Sequence, residues 1–284
     1  VSVTEAGIYP DMPEDEYHRD PVPEGSLSST GARKMLPPSC PAIYRYEQDH
    51  PVFKDVFDFG SAAHKMVLGI GPKLKLIAAK DWRSKAAQDQ RDEARANGFI
   101  PLLAPELERV EQMAAAIQDH PVAGALLDPR GGGQAELSMF WQEPEFGVWC
   151  RGRLDWLAAQ RTSFGQPIVC DYKTSACAEP ETFARKSAGE FGYHCQAAWY
   201  SDGYFMLTGE QPAFLFVVQE KTPPYLVSVV QLDPESEQIG RERNQRAIER
   251  YRDCAASGIW PGYTDDIELI TLPPWQRSRG DDLL

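Results

Sequence analysis

Two aspartates and a lysine stand at spacings that suit metal chemistry. Asp155 ends the run Gly152-Arg-Leu-Asp155, and Asp171 and Lys173 close Pro167-Ile-Val-Cys-Asp-Tyr-Lys173. Two short apolar segments flank a polar turn, Gln160 to Gly165, which is a hairpin signal. A hairpin pivoting near Ser163 sets Asp155 opposite Asp171, with Cβ atoms about 4.5–5.5 Å apart. Carboxylates that close repel and call for a cation between them. Asp171 and Lys173 are two apart, so on a strand they share a face. Two carboxylates and an ammonium on one face suit a hard divalent cation such as Mg²⁺, with the ammonium beside a water or a phosphate.

Other elements must bring further groups to that face. Asp58 to Leu68 reads as a helix ended by Gly69. Phe57, Ser61, His64 and Leu68 lie along one of its stripes. A lone His there is by itself more often structural than a ligand. Gln134 to Trp141, Gly147 to Leu157 and Pro167 to Lys173 read as three antiparallel strands. Glu136 on the first is either a third carboxylate at the site or a polar edge residue. Gly192 to Leu207 reads as a helix ended by Gly209, with Tyr193, Gln196, Tyr200 and Tyr204 on one face. Two more strands, Ala213 to Glu220 and Tyr225 to Leu232, precede a charged helix from Glu235 to Ser257. Its aligned Arg243, Arg246 and Arg250 make a solvated face or a phosphate track.

The N-terminal part is helical in character. Residues 1–25 form an acidic, Pro-rich arm with a helical turn after Pro13. Ser28, Ser29 and Thr30 open a short helix as capping hydroxyls, with Arg33 and Lys34 one turn on. This is a plain cap or an anion receptor. A second short helix spans Cys40 to Gln48. Residues 72–99 are basic early, then charged and helical: a solvated helix or the lining of a DNA path. Glu106 to His120, opened by Pro105, buries Leu107, Val110, Met113, Ala114 and Ile117.

In chain order His64, Glu136, Asp155, Asp171-Tyr-Lys173 and Gln196-x-x-x-Tyr200 resemble the PD-(D/E)XK nuclease superfamily, with Leu154 where the eponymous Pro would stand. Within it, the chain resembles the RecE-type phage and prophage exonucleases. The carrying residues are Gly7-Ile-Tyr9, Leu27-Ser-Ser29, Phe59-Gly-Ser-Ala-Ala-His64, Asp171-Tyr-Lys-Thr174, Tyr193 to Gly203 and Trp260-Pro-Gly-Tyr263. The resemblance implies an α/β fold with a restriction-endonuclease-like core: a central mixed sheet flanked by helices, with a helical N-terminal elaboration. One domain would span 1–284, with a helical part to 130, the catalytic sheet over 131–232 and a C-terminal helix and tail over 233–284.

It also implies an activity. His64, Asp155, Asp171 and the carbonyl of Tyr172 would hold Mg²⁺, or Mn²⁺ in its place. Lys173 would position or deprotonate the attacking water, and Gln196 and Tyr200 would orient substrate and lysine. The enzyme would degrade linear duplex DNA from 5′ ends in a bacterial cytoplasm, as a ring-shaped homo-oligomer, and leave 3′ overhangs to a RecT-type annealing protein. Ser28, Ser29, Thr30 and Arg33 would receive the 5′ phosphate. The alternatives are a RecB-type accessory nuclease of other polarity and a non-catalytic DNA-binding relative. The second should have lost the Asp or Lys, and both are present.

Composition narrows the field. The chain has 284 residues, 42% of them hydrophobic, enough for a sizeable core. Its longest strongly apolar run, Ala213 to Val218, is far short of a membrane span. The net charge of −13 argues against passive coating of nucleic acid, but not against an enzyme that confines its cations to a channel. Six scattered cysteines without a C-x-x-C suggest reduced thiols rather than disulfides or zinc. The tight C-terminal cysteine group of the iron–sulfur nucleases is missing, so no cluster is expected.

Overall fold

Strands form where the sequence alternates or runs apolar, and the helices that follow cover them. The computed structural model describes residues 2–50, 58–186 and 191–272. The N-terminal arm supplies β1 (Gly7–Tyr9), α1 (Glu14–His18), β2 (Leu27–Ser28) and α2 (Ser29–Lys34), followed by α3 (Pro41–Asp49). Then come α4 (Asp58–Leu68), β3 (Leu74–Ile77), α5 (Lys85–Ala96), β4 (Ile100–Leu103), α6 (Ala104–Asp119) and α7 (Ala123–Leu126). The sheet is completed by β5 (Gln134–Gln142), β6 (Trp149–Arg161) and β7 (Pro167–Ser175). After α8 (Pro180–Lys186) and α9 (Tyr193–Thr208), strands β8 (Ala213–Glu220) and β9 (Val227–Val230) lead to α10 (Pro234–Ser257).

The main sheet runs β1-β5-β6-β7-β8-β9, with β2 also pairing β6. It is mixed: β7 and β8 run parallel from Ile168↔Ala213 to Ser175↔Glu220, and the other consecutive neighbours are antiparallel. The parallel strands are nearly continuous apolar runs because both faces are covered. On one face Leu154, Phe214 and Phe216 pack with Ala197 and Trp199 of α9 and Ala247 of α10. On the other Cys170, Tyr172 and Val217 meet Ala62 and Ala63 of α4 and Val110 and Met113 of α6. The small residues of α4 let it lie close, and Gly69, at φ +77°, ends it where only a residue without Cβ sits easily. Phe57 of the expected α4 stripe lies outside the described residues.

Two expectations change. The charged stretch 72–99 is not one basic-then-helical run. Leu74–Ile77 forms β3, which pairs in parallel with β4 as a separate two-stranded sheet, and only Lys85–Ala96 is helical. Ile77 and Leu103 pack with Ala94 of α5, which gives these short strands a core of their own. The extended arm also carries a strand: β1 pairs β5, and Val3, Met12, Tyr17 and Val22 close over Phe140. No helix of the described residues is long and apolar enough to cross a membrane.

Candidate active site

The site is built where two paired strands part. Pairing of β6 with β7 runs from Arg161↔Pro167, through an irregularity, to Leu157↔Val169 and Trp156↔Cys170. Beyond that rung β7 continues against β8, while β6 takes β2, with Leu27↔Cys150 and Ser28↔Arg151. Asp155 and Asp171 stand next in line, in the crotch of the fork. There the Tyr172 N–H donates to Asp155 Oδ2 at 2.9 Å, a side chain taking a bond that a strand neighbour would otherwise accept.

Glu136 faces the same point from β5. Its neighbours pair as Ala135↔Trp156 and Leu137↔Leu154, which places Glu136 across from Asp155. Its φ is +56°, a conformation that costs a non-glycine residue about 1–3 kcal/mol and tends to persist where surroundings enforce it. The enforcing group is Arg153, which pairs with the Glu136 carboxylate and donates to Ser138 Oγ at 2.6 Å and the Met12 carbonyl at 3.0 Å. His64 of α4 bridges the carboxylates: Nδ1 is 3.4 Å from Glu136 Oε1 and Nε2 is 3.4 Å from Asp155 Oδ2.

Asp171 is 1% exposed. One oxygen accepts from Gln196 Nε2 of α9 at 2.9 Å, and the other meets the Lys173 ammonium. That ammonium lies 5.2 Å from the Tyr193 ring centroid. Tyr200, one turn after Gln196, lies against β6 at Gly152, where a Cβ would come within 2.9 Å of its ring. A glycine is therefore needed at 152. Tyr172 turns its ring away from Asp171 and donates from its hydroxyl to the buried Gln219 at 2.6 Å. Gln219 in turn donates to the Met113 carbonyl of α6 at 2.8 Å.

The electrostatics follow from this crowding. Burial depresses the His64 pKa, but the Asp155 charge and contact, with Glu136, outweigh it and raise the imidazole to about 9. Burial pushes Asp171 up, against the pull of Lys173. Burial also pushes Asp155 up, yet His64, Lys173 and the Tyr172 N–H hold it below the usual carboxylate range. Lys173, pushed down by burial, is held above its ordinary value by Asp171 and Asp155. Burial raises Glu136 despite Arg153 and His64.

His64, Glu136, Arg153 and Asp155 open onto a cleft of about 790 Å³, lined also by Glu14, Ser61 and Arg151, whereas Asp171, Lys173 and Gln196 are not part of its lining. Ser28, Ser29, Thr30 and Tyr200 also reach it. Ser28 caps α2, accepting from the Gly31 N–H at 3.1 Å. Arg33 does not line the cleft: its guanidinium donates to the Phe191 carbonyl and to Thr30 Oγ1 at 3.3 Å. Lys34 pairs with Glu47. Arg151 was not singled out by motif. It pairs with Asp20 and donates to the carbonyl and, at 2.8 Å, the hydroxyl of Ser26. Its position on β6, two residues from Arg153 and four from Asp155, was the available signal. The side chains of Arg243, Arg246 and Arg250 also stay off the cleft: Arg243 donates to the Pro37 carbonyl at 3.0 Å, and the other two line a separate groove.

Among the described residues no three His, Cys, Asp or Glu side chains already converge as a metal cage. The candidate ligands are paired with one another instead. Their chemistry fits a hard divalent cation, since carboxylate oxygens with one imidazole suit Mg²⁺ or Mn²⁺. So does their charge. Glu136, Asp155 and Asp171 face Arg153 and Lys173, and the remaining positive charge is a proton held on His64 between two carboxylates, where a cation would serve the same end.

A family described as "PDDEXK-like domain of unknown function (DUF3799)" matches residues 39–273. Among solved structures, a protein from Eubacterium rectale described as a "putative exonuclease" aligns with a TM-score of 0.61 at 12% identity, over 95% of this chain and 99% of that one. At that identity the likeness is one of fold. A second, SSO0001, aligns over 87% of this chain and 91% of its own at 13% identity, and its TM-score of 0.36 carries no weight here. No match is found among curated proteins.

Proposed function

The chain belongs to the PDDEXK-like family just described, and we propose that it is a metal-dependent exonuclease that degrades linear duplex DNA from 5′ ends. The observation that carries this reading is the fork itself, where Asp155 and Asp171 are held side by side with Lys173, Gln196 and His64 around them.

Asp155, Asp171, His64 and the Tyr172 carbonyl would hold Mg²⁺ or Mn²⁺, which supplies Lewis acidity to the scissile phosphate. The chain's own residues do the rest. Gln196 fixes the carboxylate of Asp171 by its 2.9 Å bond, so the ligand keeps one orientation. Lys173, held protonated by its acidic neighbours, acts as a cation: it orients the attacking water and offsets charge developing on the phosphate. Arg153 holds Glu136 in its strained conformation facing His64. Tyr200 forms the wall beside β6 along which the strand lies.

The hydroxyls of Ser28, Ser29 and Thr30, beside β6, are the proposed receptor of the 5′ phosphate, while the Arg33 guanidinium is turned away to the Phe191 carbonyl. The product would be a 3′ overhang for recombination by single-strand annealing with a RecT-type partner. A ring-shaped oligomer in a bacterial cytoplasm, of phage or prophage origin, completes the proposal. It is tested with linear duplex labelled at the 5′ or the 3′ end, beside covalently closed circles, in Mg²⁺. Early release of the 5′ label with intact circles is expected. Early release of the 3′ label would favour the accessory nuclease of other polarity, and cut circles would mean an endonuclease.

A further inference from the structure

The chain is acidic overall, yet one stretch at the rim of the cleft reverses the sign. Residues 65–85 hold six Lys or Arg and a single acidic residue, Asp81, in a chain with 29 basic and 42 acidic residues. The stretch starts at the site: Lys65 follows His64, and Ile70, Gly71 and Pro72 line the cleft. It then leaves the cleft as β3, whose Leu74 pairs with Ile100, another lining residue. Lys73 and Lys75 lie on either side of Leu74 at an extended spacing, so they share a face. Both are exposed, as is Lys80.

These cations are not neutralised locally. Among the described residues Lys73, Lys75 and Lys80 pair with no carboxylate, whereas Arg83 meets Asp81 at 3.9 Å and Lys85 meets Asp89 at 3.4 Å. Elsewhere on the surface, Arg19, Lys34, Arg45, Arg130, Arg161 and Arg241 each hold a carboxylate, whereas Arg246 and Arg250, which pair with none among the described residues, line a groove away from the cleft. A chain of net charge −13 repels a polyanion at a distance, and a local strip of unpaired cations at the cleft mouth counters that repulsion.

We infer that the strip formed by Lys73, just before β3, and Lys75 on it is a phosphate-backbone track that holds duplex DNA outside the cleft. The inference rests on DNA being the substrate, but not on its being cut. The bound partner is the sugar–phosphate backbone, so the contact is independent of sequence.

The test is equilibrium binding of a fluorescent blunt duplex in Ca²⁺, by anisotropy, across a salt series. Wild type is compared with Lys73→Glu/Lys75→Glu and with Arg246→Glu/Arg250→Glu. The second pair makes the same change in net charge on α10, away from the cleft. Each lost phosphate contact should flatten the plot of log affinity against log salt by about 0.9, so the strip variant should lose roughly 2 from its slope. The α10 variant should keep the wild-type slope. An unchanged slope in the strip variant overturns the inference, as does an equal loss in both variants, which would mean net charge alone. Wild type that binds with this pattern yet cuts nothing in Mg²⁺ would leave the track standing and remove the nuclease reading. Wild type that fails to bind duplex would remove both.

Discussion

On the sheet side of the cleft, Asp155, Asp171 and Lys173 come together as their spacing requires, whereas on the α2 side the hydroxyls and the cations of one short motif part company. Ser28, Ser29 and Thr30 reach the cleft, but Arg33 turns to Phe191 and Lys34 to Glu47. A strand fixes side-chain direction every second residue, so register alone decides which face a carboxylate takes. A six-residue helix fixes only where its side chains start. Long cationic side chains then follow whichever acceptor another element brings, here residues 13 and 158 positions away. Short polar groups on a strand are therefore placed by local sequence, and long ones at a helix start by tertiary context.

The largest effect that would break this contrast is metal removal. If the sheet wall is the metal-binding wall, excess EDTA abolishes cleavage and Mg²⁺ or Mn²⁺ restores it. Ca²⁺, larger and looser in its geometry, should bind without supporting turnover. Full activity in EDTA would end the metal reading. Next comes Lys173→Ala, which removes the ammonium paired with Asp171 and should lower kcat by about 10³-fold, the scale of a lost transition-state donor. Metal binding, followed by calorimetry, should persist; loss of both together would mean that Lys173 serves only to hold Asp171.

A smaller loss is expected one contact further out. Gln196→Leu keeps the volume but removes the bond to Asp171, and should cost about 10–100-fold in metal affinity or rate. A wild-type rate would mean that packing alone orients the carboxylate. Smallest is the α2 side. Because the Arg33 guanidinium is engaged by Phe191 and Thr30, Arg33→Ala should slow digestion only a few-fold, as for one lost hydrogen bond, and equally on 5′-phosphate and 5′-hydroxyl ends. A loss confined to phosphorylated ends would show that Arg33 swings into the cleft and would erase the contrast.

Much of the fold was legible because its elements are long or strongly patterned. The three strands β5 to β7, helix α4 with its Gly69 stop, α6 with its buried Val110, Met113 and Ile117, and α9 all sit where periodicity puts them. What the sequence hid has physical causes. β3 is four residues long, and its parallel partner begins 26 residues after it does, so no local turn announces the pair. β2 is two residues long and exists because β6 needs a neighbour once β7 has left it. The positive φ of Glu136 has no signature in a residue type that rarely adopts it. Gln219 reads as the polar end of an apolar strand, and only the folded chain brings Tyr172 and Met113 to it. The fork itself was half legible. Spacing set Asp155 opposite Asp171, but not the parting of the strands that leaves Asp155 free to accept from Tyr172.

The most direct test of the central claim, that chemistry occurs in the β6–β7 fork, is digestion of 5′-labelled linear duplex by wild type and Asp171→Ala in Mg²⁺, with circular dichroism of both proteins. Wild type should release the label, while the variant releases none above background and keeps the wild-type spectrum, because it loses one polar side chain at the fork and leaves the packed core on both faces of the sheet in place. A folded Asp171→Ala protein that cuts at the wild-type rate would contradict the account.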